Sequence, residues 1–440
     1  MASGRSTSGA ADGRTVPTGG PGPGATDDEA GFEILDDFTR FSQVDDVFSR
    51  SWWDPAIRTD QTERFYATYR RPLTEWRKAN GFTQRDYAVR NASWHVADVF
   101  AEMYEDRDRR DGFLDDLSML RDSASERLEP DSPQESTAQL KQVARTFGAD
   151  LIGITGFDER WVYTERFGIA AGGPKANDLP DNLDHVIVIG QAMDDGLIRT
   201  APSALSGAAT GLGYSQDALV LLAVAQYIRN LGYQAIPSMN DTALAIPLAI
   251  QAGLGEYGRH GLVITPEFGP RLRLGKIFTD LPLVHDRPRT FGVKEFCEQC
   301  DRCAGACPSR AIPHGEPVPV ALNRSGIRGV RKWSVDGEAC FGYWSKINSD
   351  CAICVRVCPW TRDYSKPWNR WWSRLAGTRL RGLMLRLDDR LGGGRRLKPT
   401  QWWSGGFNRR PIGSGPRPVK PVDFRSITRL FHHGGDGSGH

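Results

Sequence analysis

An α+β protein is predicted, an open sheet flanked by helices joined to a bacterial ferredoxin-like module, and three observations predict it. Short apolar runs alternate with amphipathic stretches between residues 134 and 290, the pattern of strands and helices folded into one layered unit. All eight cysteines fall later, between Cys297 and Cys358, and two of them stand directly before proline. The apolar periodicity stops after Phe291, just ahead of the first cysteine, so a different kind of core takes over there.

Each element follows in order. Residues 1–32 are mostly Gly, Ala, Ser, Thr, Pro and Asp, too little apolar surface to offset ordering entropy, and are expected to be a disordered tail. Residues 33–133 are rich in aromatic and charged side chains. Helical spacing in Phe38–Phe48 and Ala92–Tyr104 predicts an N-terminal helical region, with Pro130 and Pro133 marking a linker. The core spans 134–290. A helix is expected over Thr137–Phe147, strands over Leu151–Thr155 and His185–Gly190, and a helix over Ser215–Leu231 ending at Gly232. A strand over Gln234–Pro237, a helix over Ala243–Ala252 and strands over Leu262–Thr265 and Leu272–Thr279 complete it. Residues 291–362 form the cysteine module and 363–440 a basic extension.

The net charge is +2, but its distribution is uneven. From Arg362 to Arg429 there are roughly seventeen Lys or Arg against four Asp or Glu. Leu375, Leu380, Leu383, Met384, Leu387 and Leu391 recur near a helical period there and predict one helix with an apolar stripe, ended by Gly392. Three readings of this basic segment are open: packing on the protein's own core, lying on an anionic membrane surface, or docking an acidic electron donor. No run of eighteen apolar residues predicts a membrane span, and the first thirty residues hold neither an apolar leader nor a twin arginine, so a cytoplasmic location is expected.

The cysteines are the most specific signal. The first group reads Cys297-x2-Cys300-x2-Cys303-x3-Cys307-Pro308, and the second reads Cys340, then Cys351-x2-Cys354-x3-Cys358-Pro359. A 4Fe–4S cube takes one thiolate at each corner. In the two-cluster ferredoxin pattern a C-x2-C-x2-C loop serves three corners of one cube, and the cysteine before proline reaches the other. One cluster is therefore expected on Cys297, Cys300, Cys303 and Cys358. The other takes Cys307, Cys351 and Cys354, and the irregular second loop makes Cys340 its fourth ligand. Zinc would call for two cysteine pairs, and disulfides fit neither the spacing nor a chain without a leader. Two clusters alone would make an electron carrier, but the long upstream region implies a second redox centre that they feed.

Residues from about 134 to 362 resemble the reductive dehalogenase family. The resemblance rests on Phe147-Gly-Ala-Asp-Leu-Ile-Gly-Ile, Asn240-Asp-Thr-Ala-Leu-Ala-Ile-Pro247, Ala252-Gly-Leu-Gly-Glu256-Tyr-Gly-Arg259, Thr265-Pro-Glu-Phe-Gly-Pro-Arg271, Phe278-Thr-Asp-Leu-Pro-Leu283 and Phe296-Cys297 with the cluster motif. Trp52-Trp-Asp-Pro and Asn91-Ala-Ser-Trp-His add weaker support. The resemblance implies a nitroreductase-like corrinoid-binding core with cobalamin bound base-off. In agreement, the chain has no Asp-x-His-x-x-Gly motif, so His185 and His260 are expected to be ordinary core or loop residues. It implies an organohalide substrate. It also implies a separate electron donor such as a ferredoxin or flavodoxin, since neither the family's export signal nor its fused flavin and ferredoxin module is present.

By the same resemblance Tyr214, in Gly211-Leu-Gly-Tyr214-Ser, is the proton donor, with Asn240 and Arg273 assisting and Lys276 nearby. The chemistry is reasonable: a free phenol has a pKa near 10, and a neighbouring cation favours the phenolate, so the proton is given up more readily. Arg273 and Lys276 are equally readable as strand-edge cations, and Tyr214 as a core tyrosine. Asn240 and the glycines Gly253, Gly255, Gly258 and Gly261 are the candidate cofactor-binding positions, because glycine permits close backbone approach; a plain loop is the alternative. Trp52, Trp53, Trp94 and Trp161 are candidate pocket walls or simple core. Two rival functions share part of the pattern. An epoxyqueuosine reductase-like enzyme would act on transfer RNA, but its acid is an aspartate, so a nucleic-acid partner is not favoured. A non-catalytic electron-transfer or corrinoid-handling protein would carry the clusters without turnover.

Overall fold

The computed structural model describes residues 32–405 apart from 70–71, 103–116, 118–119, 169–171 and 178. The expected N-terminal tail up to residue 31, and the basic extension beyond Gly405, lie outside the described residues.

The chain opens with β1 (Glu33–Ile34), α1 (Val47–Trp53), α2 (Asp60–Ala67) and α3 (Gln84–Glu102). After α4 (Pro133–Thr146) come β2 (Leu151–Gly156), the small ladder of β3 (Arg166–Gly168) and β4 (Gly173–Lys175), and β5 (His185–Ala192). Next are α5 (Asp195–Ile198), α6 (Ala204–Asn230), β6 (Ala235–Ser238), α7 (Ala245–Gln251), the ladder of β7 (Glu256–Tyr257) and β8 (Val263–Ile264), and β9 (Leu272–Thr279). The cysteine module holds α8 (Val293–Gln299), α9 (Arg302–Ala306), β10 (Val330–Arg331), α10 (Gly337–Ile347) and α11 (Ile353–Val357). The helices α12 (Pro367–Ala376), α13 (Arg381–Arg390) and α14 (Pro399–Trp403) follow.

The central sheet runs β2-β5-β9-β6 and is antiparallel throughout. Side chains alternate between its faces. Ile187, Ile189 and Ile277 pack toward α6, while Val186, Val188 and Phe278 pack in the cluster that includes α7. Burial on both faces explains why His185-Val-Ile-Val-Ile reads as an unbroken apolar run.

The helix expected from Ser215 begins earlier, at Ala204, behind a capping box in which Ser203 and Ser206 satisfy each other's backbone. Among the described residues α6 is the one helix long and apolar enough to cross a membrane, and it lies mostly buried in this core. Gly207, Gly211 and Gly213 look like breakers in sequence. In the fold they let neighbours come close: a Cβ at Gly211 would collide with Trp94 of α3, and one at Gly213 with Arg273 of β9. The N-terminal helices are thus clamped onto the core, and β1 pairs with β10 of the cysteine module. The stretch just before the expected linker is tethered to the core. Leu128 N–H donates to the Leu231 carbonyl, and Arg127 pairs with Asp280.

The predicted single helix over 375–391 is two helices. The break falls at Gly377, where any Cβ would collide with the Phe291 carbonyl. Met384 is buried, whereas Leu380, Leu383 and Leu391 face solvent, so the leucine stripe divides between two surfaces.

Candidate active site and cluster module

Tyr214 sits in the middle of α6, 2% exposed. Its hydroxyl oxygen accepts an N–H from Arg273 Nη2 at 2.9 Å and another from Asn240 Nδ2. The Arg273 guanidinium also lies 4.3 Å from the centre of the Tyr214 ring, and the Trp94 indole stacks on that ring at 4.6 Å with the planes 22° apart. Two donors, one of them cationic, converge on one phenol oxygen. Such a pair stabilises the negative charge that appears when the phenol loses its proton.

The turn after β6 holds Asn240 in place. Ser238 Oγ donates to the Asp241 carbonyl, Met239 N–H to Asp241 Oδ1, and Asn177 Nδ2 to the Thr242 carbonyl. Tyr163 donates its hydroxyl to the Asn240 carbonyl at 3.2 Å. Lys276 serves the same turn. It lies three residues beyond Arg273 on β9, hence on the other face of the strand, and its ammonium donates to the Met239 carbonyl. The structure therefore brings Tyr214, Asn240 and Arg273 together and sets Lys276 behind Asn240 as a brace. Burial pushes the Lys276 pKa down to about 8, against the pull of Asp241 and Asp217.

Asp217 was not singled out from sequence. It lies one turn past Tyr214 on α6, is 1% exposed, and neither carboxylate oxygen has a hydrogen-bond partner. Burial raises its pKa to about 8, with Arg273 and Lys276 opposing, so it is mostly a neutral acid at neutral pH. A lone carboxylate in the otherwise apolar run Ala218–Ala225 was the available signal. Arg273 Nε, Gln191 Nε2 and Asn177 Oδ1 are likewise buried without a partner. Gln191 stands opposite Arg273 in the sheet, and Asn177 reaches the turn of Asn240, so these unsatisfied atoms surround one site. Buried polar atoms normally find partners, and this set suits a ligand with several amide arms.

Glycine at Gly253, Gly255, Gly258 and Gly261 has a reason within the chain itself. A Cβ at Gly253 would collide with the Arg287 carbonyl and one at Gly255 with the Ile264 carbonyl, while Gly258 and Gly261 press on Ile264 and Val335. Their being glycine is accordingly no independent sign of a ligand. His185 stands at the far end of the sheet, six residues along β9 from Arg273, or about 20 Å at roughly 3.3 Å per residue. There its Nδ1 meets His285 Nε2 at 2.8 Å. His260 is buried in the turn beside the cysteine module, and burial pushes its pKa down to about 4. Of the candidate tryptophans, Trp94 reaches the site. Trp161 packs with Phe32 and Phe38 under the other face of the sheet, and Trp53 donates to the Val44 carbonyl.

The thiols sort into two groups. Beyond the dominant effect of burial, Cys303 has its pKa raised by the charges of Cys354, then Cys297 and Cys300, and Cys358 by those of Cys297, Cys303 and Cys300. Cys340 is raised in the same way by Cys354, Cys351 and Cys307, and Cys351 by Cys354 and Cys307. Cys340 therefore stands with Cys307, Cys351 and Cys354. Cys303 also feels Cys354, so the two groups adjoin. Burial leads in raising Cys297 and Cys351 to about 12 and Cys354 to about 11, so ligation must displace protons from these thiols. All eight are free of disulfides. Among the described residues no His, Cys, Asp or Glu group is gathered to hold a single metal ion. That spread suits a cube, in which each thiolate binds a separate iron, better than one zinc. Arg259 pins the first loop. Its buried guanidinium donates to the carbonyls of Cys297, Cys300, Pro313, His314 and Gly315, tying the backbone of the first two cysteines to the 313–315 segment.

A donor-lined phenol on a helix-flanked sheet, joined to two adjoining cysteine quartets, defines a two-cluster iron–sulfur redox protein. Residues 175–283 match the family model described as reductive dehalogenase subunit, and residues 296–361 match the 4Fe-4S double cluster binding domain. Over these two stretches the chain is similar to the reductive dehalogenase family. It is 37% identical over 317 residues to a tetrachloroethene reductive dehalogenase of Sulfurospirillum multivorans, covering 64% of this chain and 62% of that protein. A tetrachloroethene reductive dehalogenase of Desulfitobacterium hafniense is 39% identical over 285 residues, covering 56% of this chain and 51% of that one. A solved reductive dehalogenase discussed for B12-dependent dehalogenation shares the fold, with a TM-score of 0.64 at 22% identity, over 84% of this chain and 49% of that one. The chain thus spans between half and two thirds of the length of these relatives.

Proposed function

We propose that this chain is a reductive dehalogenase that removes halide from an organohalide, with Tyr214 as the proton donor. It would use two 4Fe–4S clusters and base-off cobalamin and draw electrons from a separate donor protein. The convergence of Arg273 and Asn240 on the Tyr214 hydroxyl carries the reading. In the overall reaction a carbon–halogen bond breaks, halide leaves, two electrons and one proton arrive, and a carbon–hydrogen bond forms. Cobalamin, when bound, supplies low-valent cobalt as the immediate electron source. Asn240, together with the unpartnered Asn177 Oδ1 and Gln191 Nε2, would hold its amide-bearing edge.

Tyr214 gives its phenolic proton to the carbon. The two N–H donors then hold the phenolate oxygen until solvent returns a proton. Trp94 fixes the ring by stacking, and the Lys276–Met239 contact keeps Asn240 pointed at the oxygen. The transfer-RNA-modifying alternative has less support, because the longer matches are to dehalogenases and the group presented between donors is a phenol. The test is anaerobic reconstitution with cobalamin and reduced viologen, then halide release from a panel of aryl and alkenyl halides. Release that depends on both cofactors is expected; a fully loaded protein that releases no halide from any of them would overturn the proposal.

A further inference from the structure

α12 and α13 press one side of their surface onto the cysteine module and leave the other bare. Inward, Trp372, Ala376 and Met384 are buried. The Trp372 ring lies 5.9 Å from Phe296 and 5.7 Å from Trp360, which flank Cys297 and the Cys358-Pro359 pair. Asp388 is also turned inward, bound by Arg302 and Arg362, and Asp389 is held by Arg302. The acids of α13 are therefore already paired. Outward, Trp368 and Trp371 lie 4.7 Å apart with 49% and 46% exposure, and Leu383 is 60% exposed. Arg374, Arg379, Arg386 and Arg390 stand exposed among them, with no ion pair among the described residues.

We propose that this outward face docks the electron donor, an acidic iron–sulfur or flavin protein, over the cluster held by Cys297, Cys300, Cys303 and Cys358. The proposal rests on the reductive function above and adds to it the place where electrons enter. Unpaired cations call for a negatively charged partner, and charge of opposite sign speeds encounter. The mix of residues points to a protein. Between Arg362 and Arg396 the cations are arginines except Lys366, and Trp368, Trp371 and Trp372 stand among the first of them. Arginine and tryptophan are the side chains that dominate protein interfaces, and the guanidinium fork matches a carboxylate two bonds at a time. A helix lying on lipid presents a continuous apolar side, whereas the outward face here is broken by the exposed Arg374, Arg379, Arg386 and Arg390. The remainder of the chain offers no neutralising segment at its C-terminal end: beyond Gly405 it carries Arg409, Arg410, Arg417, Lys420, Arg425 and Arg429 against Asp423 and Asp436. Position matters as much as charge. The two helices sit directly on the loops of one quartet, so a partner docked on their outward face is separated from that cluster only by these helices and those loops. One electron leaves the donor's reduced centre and reduces the cluster, and no atom changes hands.

The test uses the reconstituted holoprotein and a fully reduced, acidic flavodoxin, with reduced methyl viologen as the small donor. Flavin oxidation and cluster bleaching are followed without organohalide, so the readout is independent of dehalogenation. Replacing Arg374, Arg386 and Arg390 together by Gln is expected to slow reduction by flavodoxin at low salt about 10-fold or more. It should also flatten the salt dependence that the unmodified protein shows, and leave viologen reduction and iron content unchanged. A control with Arg64, Arg145 and Lys346 changed to Gln should leave both rates as they were. Three results would each overturn the proposal: equal slowing with both donors, an unmodified protein whose flavodoxin rate ignores salt, or a triple variant that loses binding to phosphatidylserine vesicles but keeps its flavodoxin rate.

Discussion

The two centres of this protein are built in opposite ways. The cysteine module draws all its thiols from Cys297 to Cys358 and shapes them by short loops, with Arg259 as the pin. The phenol site draws Trp94 from α3, Tyr214 from α6, Asn240 from the turn after β6 and Arg273 from β9, and nothing local holds them together. What assembles it is packing: bare glycines on α6 admit Trp94 and Arg273, and the sheet register places Gln191 beside Arg273. A site made by local spacing should fail ligand by ligand. A site made by packing should fail when volume changes at a distance from the chemistry.

The largest expected effect is on the local centre. Cys340→Ser removes one corner of the second cluster. Iron should fall from about eight atoms per chain to about half that, and viologen-driven turnover should vanish, while bound corrinoid stays near the wild-type amount. Loss of corrinoid as well would mean that the two centres are not separable. Gly211→Ala tests the other mode. Alanine gains about 1 kcal/mol of helix propensity over glycine, but its methyl would collide with a buried Trp94, and overpacking costs about 1–3 kcal/mol. The net effect should be destabilising in a thermal melt, with slower halide release as Trp94 is pushed off Tyr214. Gly342→Ala on α10 meets open space, so only the propensity gain remains and the protein should be slightly stabilised. Opposite signs for these two changes are the sharpest check on packing as the cause.

Asp217 gives a pH-dependent contrast. Its folded pKa is raised from 3.8 to about 8, chiefly by burial, so the folded state holds the proton more tightly than the unfolded chain does. The ionisation-linked cost of its burial is therefore absent at low pH, grows as pH rises from about 4 to about 8, and levels off above. Asp217→Asn keeps the shape of the neutral acid. Its Tm advantage should grow over that window, and melting curves from pH 5 to pH 8.5 would show it; an advantage that shrinks with rising pH would mean that the ionised carboxylate is welcome beside Arg273.

The same contrast explains what could be read in advance. The grouping expected for the thiols, with Cys340 beside Cys307, Cys351 and Cys354, rests on spacing, because short loops leave few arrangements. The strand expected over His185–Gly190, β5, was legible because a strand buried on both faces is a solid apolar run. The start of α6 was not, since Gly207, Gly211 and Gly213 weaken a helix locally and only their neighbours, Asp350, Trp94 and Arg273 in turn, explain them. Lys276 and Arg273 looked alike in sequence; strand alternation sends them to different faces. Asp217 was hidden because a carboxylate on an apolar helix reads as a surface residue until the helix is seen to be buried all round. The split of the predicted stripe at Gly377 depended on the Phe291 carbonyl, a contact across the module that no periodicity carries.

Tyr214→Phe tests the central claim most directly. The change keeps the ring against Trp94 and removes the oxygen on which Arg273 and Asn240 converge. Halide release from the reconstituted protein with reduced viologen is expected to fall about 10²-fold or more, with iron, corrinoid and Tm close to those of the unmodified chain. Release at the unmodified rate, with both cofactors in place, would contradict Tyr214 as the proton donor.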